Sequence, residues 1–159
     1  MKNNKPPYRK LKGYAFDPSL SQQAETANIN TIVYKVVWED LKIDDDSIPV
    51  TDERYQGNGP IGEYLEVVDY DPTVQKMYEP VNLNANHILA QDGLSPSESN
   101  PQFHQQMVYA VAMTTIRNFE RALGRKVIWS SRRVLGPAYE EYVQRLRVYP
   151  HALREANAY

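Results

Sequence analysis

The 159-residue chain has no cysteine, so disulfide frameworks, thiolate zinc sites and cysteine nucleophiles are excluded by inventory alone. The fold must be held by packing and hydrogen bonds. An excess of one charge is also missing: 18 Lys and Arg stand against 20 Asp and Glu, a net charge of -2. That balance gives no general attraction to a phosphate backbone or an anionic lipid surface, so neither nucleic acid nor membrane is expected as a partner. Long apolar runs are absent too. Met1 to Lys12 is polar and basic with no apolar stretch behind it, which is neither a secretory signal nor a membrane span. A cytoplasmic location is the simplest expectation, with export by another route left open. Glycine is sparse, and Gly57, Gly59 and Gly62 have no strong strand ahead and no helix behind, so nucleotide-binding loops are not expected.

Histidine is scarce as well: His87, His104 and His151. No two of them have the i, i+4 spacing with an intervening glutamate that puts two imidazoles on one helix face around zinc. His104, beside Gln105 and Gln106, reads as a surface or capping residue. Ser130 and Ser131 lack the Gly-x-Ser-x-Gly elbow that exposes a nucleophilic hydroxyl and read as a strand end. Glu140 and Glu141, near Arg132, Arg133, Arg145 and Arg147, are better read as solvated surface charges than as an acid/base pair. The same arginines with Arg154, interleaved with Trp129, Tyr142 and Tyr149, form a weak case for base stacking and phosphate binding. The acids nearby oppose it. No catalytic or metal-ligating residue is therefore assigned.

What is present suits one soluble domain over residues 1–159, with 1–20 expected to be flexible: 42% of residues are apolar and 24% charged. Twelve tyrosines and eleven prolines favour short strands and loops over a bundle of long helices. Thr31 to Leu41, TIVYKVVWEDL, is the strongest strand signal. Asp44 to Pro60, with its acids and Gly57-Asn58-Gly59-Pro60, predicts an exposed excursion. Glu63 to Tyr70 predicts a second strand, closed by Asp71-Pro72 and able to pair with the first as a hairpin or meander. A short helix is expected around His87 to Gln91, and one capped turn at Ser95-Pro96-Ser97-Glu98.

A long helix is expected from Pro101 to Leu123, with Asn100 and Pro101 as its start and Gly124 as its stop. Its apolar stripe reads Phe103, Met107, Val111, Thr115, Phe119 and Ala122, reinforced by Val108, Ala112, Ile116 and Leu123. If that stripe is buried, Val111→Asp or Phe119→Asp unfolds the chain. Beyond it, Lys126 to Trp129 predicts a short strand, Pro137 to Tyr142 a helical turn, and Gln144 to Tyr149 a strand ended by Pro150. The class is α+β: short strands and loops, one long buried amphipathic helix over about 101–123, and a further strand.

Two stretches, FHQQMVYAVAMTTIRNFERALGR and RLRVYPHALREANAY, give the chain a resemblance to thermolysin-like zinc metallopeptidases over roughly Gln102 to Tyr159. In that family an amphipathic helix rich in Tyr and Ala precedes an edge strand that ends in an Asn-Ala-aromatic motif. The resemblance implies the N-terminal lobe of such an enzyme. Asn157 and Ala158 would bind the backbone of a peptide or protein substrate in the manner of an added strand, with Tyr159 at the aromatic position after them. It also implies that the His-Glu-x-x-His helix, a further glutamate ligand and the zinc lie beyond Tyr159, so that residues 1–159 are a truncated fragment with no cofactor of their own. The lack of a signal and the Pro150-His151 interruption depart from the family pattern. A non-catalytic protein-binding or structural module is the alternative.

Overall fold

A computed structural model describes residues 5–44, 58–133 and 140–153. The chain opens with β1 (Tyr8–Tyr14), which pairs antiparallel with β2 (Thr31–Val37), from Tyr8 opposite Val37 to Tyr14 opposite Thr31. A paired strand thus lies within the opening stretch, where none was read from the sequence. The period of two was hidden because one of the inward residues is an arginine: Arg9, Leu11 and Gly13 are buried while Tyr8 and Lys10 are exposed. Arg9 is only 1% exposed. It donates to the carbonyls of Leu83 and Glu39 and to Asn84 Oδ1, and it stacks 4.4 Å from the Trp38 ring. A buried cation is tolerated only with such partners.

The loop between β1 and β2 is closed by Asn30, which is fully buried. Its Oδ1 accepts from Phe16 N at 2.8 Å and its Nδ2 donates to Asp17 O and Ser21 Oγ. One side chain thereby satisfies three groups of a 16-residue connection that has only a 3-10 turn, Pro18–Gln22, of its own.

The second sheet has the order β10 (Leu146–Val148), β5 (Leu65–Val67), β4 (Asn58–Ile61), β3 (Lys42–Asp44). β4 runs antiparallel to both β3 and β5, and β10 joins β5 in parallel, Leu146 opposite Leu65 and Val148 opposite Val67. Three expectations change here. Asn58–Ile61 is a buried inner strand and not part of an exposed excursion. The segment 63–70 is not one strand: β5 ends at Val67, and β6 (Tyr70–Asp71) turns to pair with β7 (Lys76–Met77). The strand at 31–37 pairs with β1 and not with the segment after residue 63.

The helix α1 (Asn86–Ala90) falls where expected, one residue early. Ser95 to Glu98 is not helical, and Lys126 to Trp129 forms no strand. Of the helical turn expected at Pro137 to Tyr142, residues 137–139 lie outside the described set and Glu140–Glu141 is β9, paired with β8 (Arg132–Arg133). The strand expected at 144–149 is β10, three residues long.

The helix α2 (Pro101–Leu123) has both expected ends: Asn100 accepts from Gln102 N at 3.0 Å, and Gly124 adopts φ 67°. Left-handed backbone favours glycine there. Its buried face differs from the expected stripe. Buried are Phe103, Gln105, Gln106, Tyr109, Ala110, Ile116 and Glu120, whereas Val111 is 38% exposed, Phe119 59% and Leu123 53%. Counting apolar residues selected the wrong row because three inward positions are polar. The core they border comprises Leu11, Val36, Leu65, Val67, Val81, Leu83, Tyr109 and Ile116 among others. The result is a mixed α+β fold of several small sheets around one long helix.

Candidate functional site

The sheet leaves β10 at its edge. Leu146 N donates to Tyr64 O at 2.8 Å and Val148 O accepts from Val68 N at 2.9 Å, so both residues spend their backbone on the β5 side. In a ladder the intervening residue turns its N–H and C=O the other way. Arg147 therefore presents its peptide groups on the open side, and no other described strand lies beyond it. Its side chain is anchored, Nε donating to Glu66 Oε2 at 3.1 Å, and this carboxylate raises the guanidinium pKa. Arg145 Nε donates to Gly62 O at 2.6 Å. These arginines pin the strand to the sheet and do not form a free basic surface. The exposed Arg132 likewise pairs with Glu141 at 2.5 Å, and Ser131 Oγ donates to Glu140, so Glu140 and Glu141 are surface charges as read. Asn157, Ala158 and Tyr159, together with Arg154, lie outside the described residues.

Where the chain leaves β10 it meets α2 through three titratable side chains that sequence spacing did not bring together. His151 Nδ1 lies 2.6 Å from Asp69 Oδ1, and His151 Nε2 lies 2.8 Å from His104 Nδ1. Asp69 is 2% exposed, and its other oxygen accepts from Gln105 Nε2 at 2.7 Å. Gln105 also accepts from Val81 N and donates to Glu79 O. His104 is therefore no simple surface or capping residue: it is half-buried and faces a second imidazole. Burial, then the neighbouring His151, hold its pKa below the ordinary imidazole value. Asp69 and His151 are 82 residues apart, and no motif connects them. The one local signal was a histidine next to two glutamines on a helix otherwise apolar at that end.

A cleft of about 520 Å3 opens between β2 and the middle of α2, lined by Trp38, Glu39, Tyr64, Arg117, Glu120 and Lys126 among others. Its carboxylates are already engaged. Glu39 accepts from Tyr109 Oη and, at 2.6 Å, from Glu63 N. Glu120 accepts from Tyr64 Oη at 2.5 Å and lies 3.4 Å from Arg117 Nη1. The Tyr64 hydrogen bond is the main reason that the Glu120 pKa is lowered. Carboxylates held this way serve as structural hydrogen-bond acceptors.

Among the described residues no group of three His, Cys, Asp or Glu is placed to hold a metal ion. The zinc that the resemblance implies therefore has no ligand set among the described residues. No helix among the described residues is long and apolar enough to cross a membrane. No family model matches the chain, no curated protein is similar to it, and no solved structure matches its fold.

Proposed function

We propose that this chain is a non-catalytic lobe of a thermolysin-like zinc metallopeptidase and that it binds an extended peptide along the open edge of β10. The observation that supports the reading is the backbone of Arg147, which has no strand partner on its open side among the described residues, at the head of the segment that carries Asn157 and Ala158. An extended peptide offers alternating amide and carbonyl groups, and a free strand edge satisfies them without reading side chains. The arginine anchors to Glu66 and Gly62 keep that edge in place before a peptide arrives, which lowers the ordering cost of binding. Catalytic groups and zinc would come from residues beyond those described.

Titration of the ¹⁵N-labelled chain with an unstructured Ala-rich decapeptide tests the edge. The Arg147 amide and its neighbours in β10 should shift and exchange more slowly, while β3, at the opposite edge, stays unchanged. No shift at millimolar peptide would remove the reading. Should the reading frame continue past Tyr159, its product should hydrolyse peptides in an EDTA-sensitive manner and residues 1–159 should not.

A second reading has its own observation. Phe119, Leu123 and Ile128, the last 71% exposed, border a groove of about 320 Å3 with Val127 and Trp129. An exposed apolar strip of this kind is a feature of protein-binding modules. Concentration-dependent self-association abolished by Ile128→Glu, with no peptide effect at β10, would favour that reading.

A further inference from the structure

We propose that Asp69, His151 and His104 form a proton-operated latch, which holds residues 149–153 against the first turn of α2 and releases them when both imidazoles are protonated. The inference stands apart from the peptide reading, because it rests on three side chains and their hydrogen-bond arithmetic alone.

An ionised carboxylate only accepts. Asp69 Oδ1, at 2.6 Å, therefore requires a proton on His151 Nδ1, and Oδ2 is occupied by Gln105. That fixes the His151 tautomer when the ring is neutral: Nε2 is an acceptor, and His104 Nδ1, at 2.8 Å, must donate to it. Adding one proton preserves the contact. His151 then carries both protons and donates to His104 Nδ1, whose proton moves to Nε2, and the backbone of Ser97 and Glu98 favours a protonated His104 ring. Adding a second proton leaves no lone pair at the nitrogen–nitrogen contact. Two N–H groups and two positive charges then face one another, and the contact fails. The latch is thus closed with zero or one added proton and open with two.

The groups around it are consistent with this. His104 faces His151, Asp69, the backbone of Ser97 and Glu98, and the edge of the Phe103 ring. His151 faces Asp69, His104 and the Tyr78 ring at 5.2 Å, and Lys76 lies over the same tyrosine. Asp69 is the single carboxylate side chain in direct contact with the imidazole pair among the described residues. It compensates one positive charge and not two.

His104 is less basic folded than unfolded, so its contribution to the closed state is complete above the ordinary imidazole value. That contribution is lost as pH falls through that value toward the folded one. The segment it holds is weakly tied otherwise: among the described residues the backbone of 149–153 makes one backbone–backbone hydrogen bond, Ala152 N to Tyr149 O at 3.5 Å. Opening therefore frees the stretch that follows β10 without disturbing β5 beneath it.

The experiment is a ¹⁵N NMR titration of the whole chain from about pH 8 to about pH 5, spanning the ordinary histidine range, reading imidazole nitrogens and amide exchange together. The expected result is loss of the His104–His151 hydrogen-bond signature as the second proton binds. Amides 151–153 should exchange at least roughly tenfold faster, after correction for intrinsic rates, for each pH unit by which the second protonation is suppressed, while Leu65 and Val67 stay protected. Amides around the exposed His87 should show no such step. His104→Gln should abolish the pH step in amides 151–153, because it removes one of the two imidazoles at the contact. The latch is overturned if those amides stay unchanged with both rings protonated, or if the step survives in His104→Gln. If that variant does not fold, the wild-type titration decides the matter by the first of these outcomes.

Discussion

The two halves of α2 are built from similar residue types and are held in opposite ways. The N-terminal half is stitched into the molecule by polar side chains. Gln106 Nε2 donates to Lys12 O and Leu94 O, and its Oε1 accepts from Leu94 N at 2.8 Å; Gln105 performs the same service for Val81, Glu79 and Asp69. Both glutamines are 0% exposed. The C-terminal half puts Ile116 and Glu120 inward and leaves Phe119 and Leu123 toward solvent. Irregular chain packed against a helix carries backbone groups that no ladder satisfies, and a buried primary amide satisfies both donors and acceptors. Burial in this helix follows the needs of the backbone opposite, and hydropathy is a poor guide to it.

That contrast can be broken by substitution. The largest effect is expected from Tyr109→Ala. This side chain is fully buried in the N-terminal half and donates to Glu39, so its loss should cost about 3–5 kcal/mol in chemical denaturation, in the range of buried aromatic truncations. A loss below about 1 kcal/mol would mean that the helix is not seated as described. Next comes Gln106→Leu, which roughly keeps the volume but replaces the amide by an apolar group and so orphans the Leu94 N–H and the Lys12 carbonyl. We expect roughly 2–4 kcal/mol of destabilisation, since each buried unsatisfied group costs about 1–3 kcal/mol. If leucine were neutral or stabilising there, the stitching argument would fail.

Gly93→Ala sharpens the same point from the other side. Gly93 has φ 89°, and a Cβ would come within 2.8 Å of Gln106 Oε1. Left-handed strain plus displacement of the amide should cost about 1–3 kcal/mol, and less in the Gln106→Leu background if the two share one cause. The smallest effect is expected from Phe119→Asp in the exposed half. At 59% exposure, with a minor penalty for an acid near a helix C-terminus, the change should stay under about 1 kcal/mol. A thermal scan showing an unfolded Phe119→Asp chain would restore the apolar-stripe expectation.

Acid should affect the lower half through Glu120. Its pKa is lowered by Tyr64, so the stabilisation is fully present above the ordinary carboxylate value and is lost as pH falls through the folded value. Comparing wild type and Glu120→Gln by denaturation near pH 7 and near pH 3 should show the gap between them closing at low pH. An unchanged gap would mean that the Tyr64 hydrogen bond does not depend on charge.

Elements with their own chemical punctuation were legible in the sequence. The ends of α2 were marked by Asn100, Pro101 and Gly124; β2 by its β-branched run; the end of β10 by Pro150. The α+β class follows from those pieces. Elements whose inward residues are polar, or whose composition is that of a turn, were not legible. β1 was hidden by Arg9, the inner strand Asn58–Ile61 by its turn-like composition, and the helix face by Gln105, Gln106 and Glu120. The His104–His151–Asp69 array was invisible for a further reason, since its members come from three parts of the chain and none has a local motif.

By itself, then, the sequence determined where the long helix starts and stops, that no thiol chemistry is available, and that the class mixes strands with one dominant helix. These depend on capping, inventory and local conformational preference, which act over a few residues. Only the tertiary structure decided which side of that helix is buried, which strand lies open at the sheet edge, and which imidazole meets which carboxylate. Those depend on what lies opposite in space, where a buried polar group is stable only once its partner from elsewhere in the chain has arrived.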